Sequence, residues 1–109
     1  MKILLIGGSG QDAYYLSKFL TSKGAFVHWI YRGDVSRYQF NIDPSKVVYC
    51  NVSSYEFRNV YPLVSRESFD AVVLVAGAVG NQLAKANPLD TYLTNIAILR
   101  DTISLVKSL

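Results

Sequence analysis

Apolar residues along this chain recur with two alternating periods. Ile3 to Ile6 is an unbroken apolar run, as expected of a central parallel strand covered on both faces. Asp12 to Lys23 follows with Leu16, Phe19 and Leu20 at helical spacing, and Gly24 supplies the stop. Phe26 to Tyr31, rich in β-branched and aromatic residues, is a second strand. Residues 32 to 46 hold Gly33, Asp34, Ser36, Asn41, Asp43 and Pro44 and read as an irregular connection, after which Lys46 to Cys50 is a third strand. Ser53 or Ser54 is expected to cap a helix presenting Phe57, Val60, Tyr61 and Val64 on one face, with Pro62 expected to kink or split it. Ala71 to Val75 is the fourth strand, and Gly77 and Gly80 mark the loop beyond it. A last helix opens near Pro88 and Leu89 and runs to the C-terminus.

Strands alternating with helical crossovers imply a mostly parallel sheet with helices on both faces. The fold class is α/β, a Rossmann-type three-layer αβα arrangement with expected strand order 3-2-1-4, four of the six strands of the complete sheet. Two features then look incomplete. The fourth strand is apolar yet lies on an open edge, which proteins normally avoid. In the last helix Tyr92, Ile96, Leu99, Ile103 and Val106 form one stripe, and Leu89, Leu93, Ile98, Leu105 and Leu109 widen it around the axis. A helix so widely apolar is expected to be buried on more than one side, by further chain or by a partner subunit. A homo-oligomer through this helix is the expectation.

At 109 residues the chain is one domain at most. Half its residues are hydrophobic and 17% are charged, which argues against disorder. The formal charge of +3 is spread without a basic run, so nucleic acid is not an expected partner. Cys50 stands alone and His28 is the single histidine, which leaves no disulfide framework and no expected metal site. Cys50 is expected to be a buried strand-end thiol, and His28 an ordinary, partly exposed strand side chain. The apolar start at Ile3 is too short for a signal peptide, and no run approaches the ~20 residues of a spanning helix. The expected setting is soluble and cytoplasmic.

The chemistry concentrates where the first strand ends. Gly7-Gly8-Ser9-Gly10-Gln11-Asp12-Ala13 places a Gly-x-x-Gly-x-x-Ala turn between a strand and a helix, inside a β-α-β unit of about 30 residues, the context that makes such a pattern meaningful. Gly7 is expected to let the chain turn sharply, Gly10 to admit a pyrophosphate close to the backbone, and Ala13 to allow close helix–strand packing. The helix N-terminus then favours phosphate. Arg32 ends the second strand, where an acidic residue would suit the ribose of NAD and an Arg suits the extra phosphate of NADP. Charge-assisted hydrogen bonds of about 1.5–3 kcal/mol each are enough for a tenfold cofactor preference. Arg37 is placed to assist. Asn51, with Val52 after it, can meet an adenine edge; small residues Ala76, Gly77 and Ala78 leave room for a cofactor across the strand ends. Asn95 can donate to the backbone of that loop. The Tyr14-x-x-x-Lys18 spacing matches a reductase acid/base pair, but it lies beside the phosphate turn, out of reach of a nicotinamide.

Together these residues resemble the extended short-chain dehydrogenases/reductases, the NAD-dependent epimerases and dehydratases, most nearly the GDP-mannose 4,6-dehydratases. Gly7-Gly8-Ser9-Gly10-Gln11-Asp12 resembles that branch's Gly-Ile-Thr-Gly-Gln-Asp, Val27 through Arg32 its second strand with the NADP-selecting Arg, and Pro88 through Tyr92 to Asn95 the opening of its fourth helix. The resemblance implies that Gly7, Gly10, Gln11, Asp12, Arg32, Asn51, Val52, Ala76, Gly77 and Ala78 line a cofactor site, with a nucleotide sugar as substrate of the complete enzyme. Asn51 stands where the family usually has Asp, and Ala13 where it has Gly. The family's catalytic Ser or Thr, its Tyr-x-x-x-Lys pair and its sugar-nucleotide domain would follow position 109, so the chain is expected to be an amino-terminal portion, inactive alone. A non-enzymatic dinucleotide-binding sensor or subunit, and a structural domain with an empty nucleotide turn, are the alternatives.

Overall fold

The computed structural model describes residues 1–7, 11–33, 42–75 and 88–109, with the side chains of Gln11, Pro88, Thr91 and Tyr92 outside that description. Four strands, β1 (Lys2–Ile6), β2 (Phe26–Tyr31), β3 (Val47–Asn51) and β4 (Ala71–Leu74), form one parallel sheet in the order β3-β2-β1-β4. Leu5 stands beside Trp29 on one side and Val73 on the other, and Trp29 beside Tyr49, so every strand starts at the same end of the sheet. The expected strand order holds.

Strand alternation sorts the side chains into two cores. On one face Leu5, Val27, Trp29 and Val47 pack beneath helix α1 (Gln11–Ser22), which contributes Ala13 and Tyr14. On the other face Leu4, Ile6, Ile30 and Val52 meet Val60 and Val64 of helix α2 (Phe57–Val64) and Leu105 of helix α3 (Pro88–Ser108). The helices thus cover both faces. α1 stops as its sequence requires: Gly24 takes φ +90°, its N–H donates to the Thr21 carbonyl and the Ala25 N–H donates to that of Leu20.

Two local expectations are corrected. Helix α2 begins at Phe57 behind an extended Glu56 that supplies no side-chain cap. Ser54 instead accepts the Glu56 N–H and the Asn59 amide, while Asp101 of α3 accepts the Phe57 N–H at 3.4 Å. The helix runs through Pro62 unbroken, with Val60 and Val64 buried on the expected face. His28 is also buried, not partly exposed: it sits between Leu4 and Val48 with its ring edge-on to Phe69 at 5.3 Å. Burial and nearby Lys2 hold its pKa below the usual imidazole value, and its Nδ1 has no partner. Beside it Phe26 and Val48 are half exposed, lining a cleft of about 290 Å³ at the amino ends of the strands, where no part of α2 reaches.

Candidate functional site

The carboxyl ends of β1, β2 and β3 gather the residues that carry chemistry. β1 delivers the chain to Gly7, whose N–H donates to the Ile30 carbonyl at 3.0 Å and whose carbonyl accepts the buried Trp29 indole N–H at 3.3 Å. Gly7 does not adopt a positive φ, so the reason for glycine here is space. A Cβ at this position would lie 2.9 Å from Val75 Cβ and 3.6 Å from Ala13 Cβ. Ala13 is itself buried. Small residues at both positions let the start of α1 close down onto the ends of β1 and β4. The first turn of α1, whose leading N–H groups find no acceptor within the helix itself, stands there with Asp12 exposed.

The turn after β2 is the second component. Arg32 is exposed, and Gly33 follows at φ +88°, a conformation that favours glycine. Three consecutive residues, Tyr31 to Gly33, are held through their backbone by the end of β3 and the segment after it. Val52 N–H donates to the Tyr31 carbonyl at 2.9 Å, the Arg32 N–H donates to the Tyr55 hydroxyl at 3.1 Å, and the Asn51 side-chain amide donates to the Gly33 carbonyl at 3.0 Å. An aspartate at 51 has no hydrogen to give to that carbonyl, so the asparagine has a structural use of its own. One hydrogen of the Asn51 amide is thus committed to the Gly33 carbonyl.

Of the residues singled out in the sequence, Gly7, Asp12, Arg32 and Asn51 come together at this end of the sheet. Val52 follows them in sequence, but its side chain is buried in the core and its N–H is taken. Asn95 is an exposed residue of α3. Only the backbone of Gln11 is described; Gly10, Arg37, Ala76, Gly77 and Ala78 lie outside the described residues. Tyr55 carries no sequence signal of its own; its role depends on contact with residue 32. Tyr14 and Lys18 form a cation–π contact, 5.9 Å from ammonium to ring, with Tyr14 buried beneath α1. Cys50 is half-buried, and burial pushes its thiol pKa up, away from reactivity. Among the described residues no His, Cys, Asp and Glu cluster is arranged to hold a metal, and no helix is long and apolar enough to cross a membrane.

This geometry has known counterparts. The profile of the NAD dependent epimerase/dehydratase family matches residues 3–109. The chain belongs to that family. A nicotinamide dinucleotide is the cofactor that membership implies, and the glycine-spaced turn, helix N-terminus and strand ends are consistent with one. Among solved structures, a UDP-glucose 4-epimerase superposes with TM-score 0.79 at 18% identity, over 98% of this chain and 32% of the epimerase. A doubly substituted short-chain dehydrogenase/reductase from Serratia marcescens superposes with TM-score 0.74 at 20% identity, over 98% of this chain and 48% of the reductase. The chain thus spans about a third to a half of these structures, which share its fold. No curated protein matches it significantly.

Proposed function

We propose that this chain is the NADP-binding, amino-terminal portion of a sugar-nucleotide dehydratase, epimerase or reductase of the GDP-mannose 4,6-dehydratase type, inactive by itself. The observation that carries the reading is the close-packed Gly7 after β1, packed near Ala13 in the first turn of α1, at the same end of the sheet as the exposed Arg32 after β2. The N-terminus of α1 beyond Gly7 would receive a pyrophosphate on backbone N–H groups; Arg32 offers a forked cation to the phosphate on the adenosine ribose. Asn51 meets the adenine edge, and Gly10, Gln11, Asp12, Arg37, Ala76, Gly77, Ala78 and Asn95 complete the proposed cofactor site. In the complete enzyme the bound cofactor would take a hydride from a carbon of the nucleotide sugar. The apolar outer side of α3 pairs with a second subunit in this reading, and the setting is cytoplasmic.

Calorimetric titration with NADP and NAD tests the cofactor assignment. The parent chain is expected to favour NADP at least tenfold. Arg32→Ala should erase that preference by weakening NADP alone. Equal weakening of both cofactors overturns the assignment of Arg32.

A further inference from the structure

We infer that Tyr55 is a positioning residue for cofactor selection, acting through the Arg32–Gly33 turn. The inference rests on the NADP reading above. β2 and β3 part company after Tyr31 and Asn51: Val52 turns into the core, and the Arg32 N–H is left without a strand partner. The Tyr55 hydroxyl oxygen takes that hydrogen at 3.1 Å, 23 residues along the chain. The ring is anchored independently, packed against the core of Leu4, Ile6, Ile30, Val52 and Val60. Burial raises the phenol pKa, opposed by the bond and charge of Arg32, so the group remains a neutral hydroxyl at physiological pH.

The consequence concerns where the guanidinium can go. A long, exposed arginine side chain loses conformational freedom when it binds a phosphate, and a backbone held in place beforehand lowers that cost. Tyr55 fixes the N–H of residue 32 itself, while Asn51 fixes the carbonyl of the next residue. The two bonds bracket the Arg32 Cα. NAD, lacking the extra phosphate, draws no benefit from an oriented Arg32. Tyr55 therefore sets the ratio of NADP to NAD affinity without touching either ligand's reactive end.

The test is Tyr55→Phe, which keeps the ring and removes the acceptor. NADP affinity is expected to fall about threefold to tenfold with NAD affinity unchanged, the range of one hydrogen bond. Hydrogen exchange at the Arg32 amide should accelerate, while amides within β1 and β2 keep their protection. A merely structural role would weaken both dinucleotides together, and that result overturns the inference. So does an unchanged NADP-to-NAD ratio in Tyr55→Phe when Arg32→Ala abolishes it. If Arg32→Ala itself leaves the ratio unchanged, the NADP reading falls, and this inference with it.

Discussion

Helices α1 and α3 follow the same helical period yet end in different circumstances. α1 lies across the sheet and buries Ala13, Tyr14, Ser17 and Thr21 in twelve residues. α3 is twenty-one residues long, and of its described side chains it buries Thr102 and Leu105. Leu89, Leu93, Ile96, Leu99, Ile103 and Val106 remain 44–65% exposed along it. The difference lies in what the rest of the chain offers each helix. α1 lies over the central strand β2, in one core cluster with side chains of β1 and β3, whereas α3 meets α2 and the edge strand β4. Periodicity specifies a helix and an apolar stripe; only the partner decides whether that stripe becomes core.

The sharpest way to break this contrast is to truncate one residue from each setting. Trp29→Ala, beneath α1, should cost about 3–5 kcal/mol, because a fully buried indole and its bond to Gly7 are lost together. Leu93→Ala, on the exposed side of α3, should change the stability of the dilute chain by no more than about 0.5 kcal/mol. Denaturant unfolding at low protein concentration measures both. A comparable loss at Leu93 would mean that α3 is already covered. A smaller effect than that of Trp29→Ala is expected from Gly7→Ala, at about 1–3 kcal/mol, because the new methyl meets Val75 at 2.9 Å. Combining it with Val75→Ala should cost less than the sum of the two single changes.

A pH-dependent effect comes from the amino end of the sheet. His28 resists protonation in the fold, so the unfolded chain binds a proton that the folded chain refuses. Its contribution to stability is complete above pH 6.5 and is lost as the pH falls below that value. Glu67, whose carboxyl is held below its usual pKa by Lys2, adds a separate loss beginning below pH 4.5. Thermal unfolding between pH 8 and 3 should show both, and His28→Phe should flatten the first while keeping the second.

Much of this was legible in the sequence, and what was missed has common causes. The strands fall within a residue of their expected bounds because each is an apolar run cut off by glycine or polar residues. Strand order and the stop at Gly24 follow from connection rules and local chemistry. The start of α2 was not legible, since Asp101 of another helix meets its first N–H. Nor was the burial of His28, which depends on Phe69 closing over one end of the sheet. At the site, Gly7 and Arg32 announced themselves by position, but the need for glycine at 7 is the proximity of Val75, not a turn conformation. Tyr55 gave no local sign because its hydrogen bond is to another loop.

The central claim is that a nicotinamide dinucleotide lies across the carboxyl ends of β1, β2 and β3. An amide chemical-shift titration of the whole chain with NADP tests it most directly. The account predicts saturable shifts at Gly7, Arg32, Gly33 and Asn51, with Phe26, His28 and Val48 at the opposite end unmoved. Shifts confined to that opposite end, or no saturable shift at millimolar NADP, would contradict it.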